Sequence, residues 1–201
     1  MAETAPVIIA DYAPEWPGVF DGLREVIGGA AGELALTIEH VGSTSVPGLA
    51  AKPIIDLDVV IRTAEQLLLM VECLARLGYV HQGDLGIPGR EAFTRDGEDV
   101  PRDGSGRRWM EHHLYVCVEG GRELRRHLAF RDLLRADAGT AAAYAELKRR
   151  LGVQFRHDRE AYCEAKSEFI ERALAGGGHV ETGNDLLRRK IDGQGQSLPH
   201  P

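Results

Sequence analysis

Short apolar runs separated by Gly- and Pro-rich turns fill the first two-thirds of the chain, and apolar residues at helical spacing fill the last third. Val19, Phe20, Leu23 and Ile27 recur three and four residues apart behind Pro17, which suits the first turn of a helix; Gly28-Gly29 closes the pattern. Leu34 to Val41 predicts a short strand entering a Gly-Ser turn, and Pro47 and Pro53 bracket a connection expected to form a helical turn. Residues 54–61, IIDLDVVI, predict a central buried strand. Thr63 followed by Gln66 is a capping-box pattern. The helix it opens runs through Leu67, Leu68, Val71 and Leu74, with Gly78 as its stop. Tyr79 to His81 begins a further strand, a turn follows through Gly83, Gly86 and Gly89, and Glu91 to Arg95 is its partner. After a polar loop at 96–108, His112 to Val118 alternates as a strand. Helices are predicted near 122–136, 139–151 and 159–175, the last capped by Asp158.

This order predicts one α+β domain over residues 1–175: a mixed sheet over about 34–118 flanked by helices, then a helical part over about 122–175. Residues 176–201 open on three glycines and are polar, so a mobile tail is expected. The 201 residues suffice for one domain with a real core, and the formal charge of −7 argues against coating extended nucleic acid. No apolar run approaches a membrane span, and the N-terminus lacks the basic region of a signal peptide. Cys73, Cys117 and Cys163 form no C-x-x-C pair, so a reducing cytoplasm is the expected location.

Chemistry concentrates between Gly42 and Asp58, within seventeen residues. Asp56 and Asp58 share one face of their strand, roughly 7 Å apart. Two such carboxylates repel each other and are costly to desolvate unless a positive charge intervenes. Mg²⁺ is the usual remedy, held by one or two carboxylates plus substrate phosphates. A lone D-x-D at a strand end is also what a solvated or capping pair looks like. The turn before it weighs toward the metal: Gly42 permits an unusual backbone conformation, and Ser43, Thr44 and Ser45 set three hydroxyls beside backbone N–H groups able to cradle a phosphate. Lys52 adds a cation ahead of the acidic strand.

G-S, a dozen residues, then D-hydrophobic-D resembles the signature of the DNA polymerase β-type nucleotidyltransferases. More narrowly, HVGSTSVPGLAAKPIIDLDV resembles the GrpB family, which is related to that superfamily. DYAPEWPGVF, GYVHQGDLGIPGREAF, HHLYVCVEG, RRHLAFRDLLRA and DREAYCEAKSEFIERAL extend the resemblance over roughly residues 7 to 174. It implies a nucleotidyltransferase-like fold and metal-dependent transfer of a nucleotidyl group from a nucleoside triphosphate to an unknown acceptor. Asp56 and Asp58 would hold Mg²⁺ or Mn²⁺, and Gly42, Ser43 and Thr44 would cradle the phosphates. The alternative is a non-catalytic domain binding a nucleotide or a coenzyme A-related molecule, since family relatives are fused to dephospho-coenzyme A kinase.

Enzymes of that superfamily commonly carry a third carboxylate on a neighbouring strand, and EHHLYVC offers none in the obvious place. His113 shares a face with Tyr115. It would complete the site or position a proton, or else be a strand histidine bonded to a carboxylate. Glu111 sits at the strand's edge. Of Glu39 and His40, one should point inward, to touch substrate or an aspartate or to serve structure. Further phosphate-binding candidates are Lys52, Arg90, Arg95, Arg131, Lys148 and Lys166. Arg131 stands out because its helix is largely apolar around it, so it needs a carboxylate or phosphate partner. Walker A, G-x-G-x-x-G, H-E-x-x-H and G-x-S-x-G motifs are absent.

Overall fold

A computed structural model of the chain describes residues 6–176. The tail expected beyond Gly176 lies outside the described residues. The helix α1 (Trp16–Ala31) is followed by the strands β1 (Thr37–Val41) and β2 (Ile55–Ile61), then α2 (Leu67–Arg76). The strands β3 (Tyr79–Gly83), β4 (Arg90–Arg95) and β5 (His112–Val118) precede α3 (Arg122–Ala136), α4 (Ala138–Gln154) and α5 (Arg159–Leu174). The five strands form one sheet in the order β1-β2-β5-β4-β3. β2 and β5 are parallel at its centre, and the other pairs are antiparallel. This is the mixed α+β sheet with a helical C-terminal part that the pattern predicts.

Alternation along β2 separates two environments. Ile55, Leu57, Val59 and Ile61 face a core built with Leu23 and Ile27 of α1 and Met70 and Leu74 of α2. Asp56, Asp58 and Val60 take the opposite face, where Val60 packs with Cys117 and Leu124 of α3. A second core joins Val46, Leu49 and Ala50 to Tyr144, Leu147 and Leu151 of α4 and Tyr162 and Phe169 of α5. The C-terminal helices thus anchor on the loop between β1 and β2, beside the carboxylate face.

Local signals behave as expected at most ends. Gln66 closes the capping box on the Arg62 and Thr63 amides, and Asp158 accepts from the Ala161 amide. Two expectations need correction. Of the residues predicted to line α2, Leu74 is buried and Leu67 and Val71 pack against the core with Met70 and Cys73, but Leu68 is 68% exposed, on the solvent side of the helix. The helical turn expected between Pro47 and Pro53 lies earlier, at Ser43–Ser45, and Ala51 instead forms a bridge with Ala10.

A buried chain of hydrogen bonds holds that turn. The Thr44 hydroxyl donates to the Ile54 carbonyl (3.2 Å), so His40 Nε2–H donates to Thr44 Oγ1 (3.1 Å). The His40 ring stacks on Phe20, and burial lowers its pKa to about 4, which keeps it neutral. Thr44→Val keeps the shape but leaves both partners unsatisfied. It should cost about 1–3 kcal/mol, measured as a lower urea midpoint at an unchanged slope.

Candidate active site

The face of β2 that carries the carboxylates opens into a cavity of about 440 Å³, walled by the Gly42–Thr44 turn, β5, α3, α4 and α5. Gly42 has φ +68°, and a Cβ there would lie 2.2 Å from Asp56 Oδ2, so only glycine lets the turn pass the carboxylate. Ser43 and Thr44 begin the helical turn, and amides at such positions have no partner inside it.

Each aspartate meets a histidine. His113 pairs in register with Asp56, and its Nδ1 lies 2.8 Å from Asp56 Oδ1. His127 of α3 places Nδ1 2.8 Å from Asp58 Oδ2. Carboxylates only accept, so both rings donate from Nδ1 and carry a lone pair at Nε2 when neutral. Arg159 donates to His113 Nε2 at 3.1 Å. Burial pushes Asp56 up, but the hydrogen bond and charge of His113 outweigh it and hold the carboxyl below its ordinary range. Asp58 is 0% exposed; there burial wins over His127, the pKa rises, and Oδ1 has no hydrogen-bond partner.

Around this pair the wall is basic. Among the described residues, Lys52, Arg90, Arg126, Lys148, Arg159 and Lys166 line the cavity, and Asp56 is the only carboxylate residue that does. Burial, then the charges of Arg159 and Lys166, lower the Lys52 pKa. Lys148, 2% exposed, donates to the Ala50 carbonyl and lies over the Tyr144 ring; burial and then Lys166 bring its pKa down to about 7. These cations crowd one another.

The cavity brings together Gly42, Ser43, Thr44, Lys52, Asp56 and His113, with Asp58 buried behind His127. Arg131 is not part of its wall. Its guanidinium binds Glu39 at 2.8 Å and the His40 carbonyl, so its partner is a carboxylate and it ties α3 to β1. His127, Arg126 and Arg159 were not among the sequence candidates. His127 could have been noticed as a histidine four residues before Arg131, on the helix face shared with Leu124 and Leu128.

Two carboxylates, one with an orphaned buried oxygen, suit a hard cation. Among the described residues no group of three or more His, Cys, Asp and Glu is arranged to hold a metal. The donors therefore fit Mg²⁺ or Mn²⁺ arriving with phosphate oxygens and waters, and do not fit a resident ion held by protein alone.

Fold and site define an α+β protein with a cation-lined cavity set over a carboxylate pair. The GrpB protein family model matches residues 6–175, and the chain belongs to the GrpB family. The conserved protein GrpB from Enterococcus faecalis is 31% identical, with a TM-score of 0.68 over 86% of this chain and all of that one. UPF0157 protein YqkA of Bacillus subtilis is 35% identical over 81% of this chain, which spans 44% of that protein's length. A dephospho-CoA kinase of Mycolicibacterium paratuberculosis is 27% identical over 84% of this chain and 45% of its own. The Cid1 poly(U) polymerase aligns at 15% identity and a TM-score of 0.45 over 70% of this chain and 40% of that one, a likeness of chain path that says nothing of activity. No helix among the described residues is long and apolar enough to cross a membrane.

The two carboxylates predict opposite stability effects. Asp56 has a depressed folded pKa, so its contribution is present above the unfolded pKa and is lost as pH falls through the folded value. Asp58 has a raised one, so stability is lost as pH rises through it. At pH 7 Asp56→Asn should therefore lower the unfolding midpoint and Asp58→Asn should raise it. Melting curves from pH 3 to 8 check this, and equal shifts of one sign would contradict it.

Proposed function

We propose that this protein is a metal-dependent nucleotidyltransferase that takes a nucleoside triphosphate in the cavity over β2 and passes its nucleotidyl group to an acceptor. The observation that carries this reading is the charge of the wall: six basic side chains against one carboxylate, in a chain of formal charge −7. Among the described residues Lys52, Arg90, Lys148, Arg159 and Lys166 have no carboxylate partner. Cations so crowded and partly desolvated favour a polyanion. The Gly42–Thr44 turn would cradle phosphates through its free amides. Lys52, Lys148 and Lys166 would neutralise them, and Asp56 and Asp58 would hold the accompanying cation. When bound, that cation neutralises phosphate charge and makes the α-phosphorus more electrophilic.

A second reading, ligand binding without turnover, is favoured by one feature: β5 presents His113, not a carboxylate, opposite Asp56. Similarity to a dephospho-CoA kinase makes a coenzyme A-related nucleotide the ligand class to compare.

Thermal unfolding with each nucleoside triphosphate and with coenzyme A, with and without Mg²⁺, separates the two. A Mg²⁺-dependent rise with one triphosphate, of about 2.7 kcal/mol at a hundredfold excess over Kd, should vanish in Asp56→Asn/Asp58→Asn. A Mg²⁺-independent rise with coenzyme A would favour binding alone, and no rise with any ligand would sink both readings.

Lys148 adds a pH signature. With its pKa near 7, an anion binds best when the ammonium is protonated, so affinity should fall as pH rises from 7 to 9. Binding at pH 8 should take up protons, read by titration calorimetry in buffers of different ionisation enthalpy. Lys148→Met should abolish that uptake.

A further inference from the structure

A triphosphate already partly neutralised by a divalent cation does not need all six cations of the wall, and they are not placed alike. The sheet order β1-β2-β5-β4-β3 sets the Gly42–Thr44 turn, which leaves β1, on one side of the β2 carboxylates and Arg90 of β4 on the other. On the turn's side, Lys148 donates to the Ala50 carbonyl of the loop that continues from it, and Lys52 and Lys148 both feel the charge of Lys166. On the far side, Asp58 pairs with Tyr115 and Arg90 with Cys117, so Asp58, Tyr115 and Arg90 share the cavity face of the sheet. The Arg90 guanidinium carbon lies 4.2 Å from the centroid of the Tyr115 ring. Of the three arginines in the wall, Arg126 pairs with Glu123 at 3.5 Å and Arg159 donates to His113 at 3.1 Å. Arg90 has no side-chain hydrogen bond among the described residues, and its Nε is buried without a partner. An aromatic face takes the flat side of a guanidinium and leaves its N–H edge for an oxyanion. β4 is two strand spacings, about 10 Å, from β2, and Arg90 leans back over the strand between them. An anion held there is within a small molecule's length of Asp56 and Asp58.

Resting on the transfer reading above, we propose that Arg90, seated on Tyr115, anchors the acceptor, and that the acceptor is a small hydroxyl compound bearing a phosphate monoester. That phosphate is close to a dianion with three acceptor oxygens. It meets the free guanidinium edge of Arg90, and Arg126 of the same wall adds charge. The compound's hydroxyl then lies toward the carboxylates, on the opposite side of them from the triphosphate cradle. Its oxygen bonds to the α-phosphorus, and the bond to the bridging oxygen breaks. Pyrophosphate leaves with that electron pair, and the hydroxyl proton passes to water. An extended nucleic acid is a poor acceptor here. With six basic residues gathered in the wall, the rest of a chain of formal charge −7 is acidic and repels a polyanion.

The test uses the full chain with Mg²⁺ and triphosphate analogues carrying an α,β-methylene bridge, which fill the donor side without turnover. The base is chosen by the rise in unfolding midpoint, and inorganic phosphate is then titrated into the saturated protein by calorimetry. A second, single-site binding event should appear, with glycerol phosphate competing for it and glycerol not. Arg90→Met should weaken that event about tenfold or more and keep the analogue's midpoint rise. Arg90→Lys, which keeps the charge and loses the fork, should weaken it less, and it carries the test if the methionine variant does not unfold cooperatively. A midpoint rise with no second event, or a second event unchanged in the Arg90 variants, would overturn this inference and leave the transfer reading standing. Loss of the analogue's rise in a cooperatively folded Arg90 variant would place Arg90 in the triphosphate site and overturn it as well. A single-stranded RNA oligomer binding the saturated protein through Arg90 would overturn the small-molecule acceptor. No midpoint rise with any analogue would remove the transfer reading and this inference together.

Discussion

Everything in the site depends on two carboxylates placed two residues apart on the same face of a central strand. Strand geometry sends Asp56 and Asp58 to one side of the sheet while their neighbours fill the hydrophobic core on the other. Neither can be moved without moving the core, and neither can be left ionised and dry without a partner. The fold answers with one histidine from the adjacent parallel strand and one from α3. The answers differ in sufficiency. Burial raises both; at Asp56 the histidine, joined by the charges of Lys166 and His127, prevails, while at Asp58 the histidine does not overcome burial and the charge of Asp56.

The helical third of the chain supplies the opposite charge. α3, α4 and α5 contribute Arg126, Lys148, Arg159 and Lys166 to a wall whose cations depress one another. Aromatic packing backs this wall: Tyr144 contacts Phe130 and Phe169, each at a ring distance of 5.1 Å. A positive wall facing a sealed carboxylate is electrostatically unfinished, and an anion accompanied by a cation completes both halves at once. Positioning charges before the ligand arrives is how a site stabilises developing charge without reorganising.

The elements themselves were legible. A run apolar on both faces identified β2, and the order of strands and helices identified the α+β class. What misled was a run of three leucines: Leu67, Val71 and Leu74 keep the core face of α2, but Leu68 lies on its solvent side. Arg131 was legible as an arginine in need of a partner. Which partner it has depends on Glu39, 92 residues away in sequence, and no local pattern encodes that distance.

Sequence alone determined the carboxylate pair, the glycine beside it and the absence of a third acid on β5. Spacing along one strand or one turn is a local property, so it is written in consecutive residues. Only the tertiary structure decided that His127 reaches Asp58, that Arg159 occupies His113, and that six separated cations share one cavity. Those pairings follow from how α3 and α5 dock across the sheet. Their docking is set by the second core around Tyr144 and Tyr162, a sum of many contacts over distances that local periodicity does not carry.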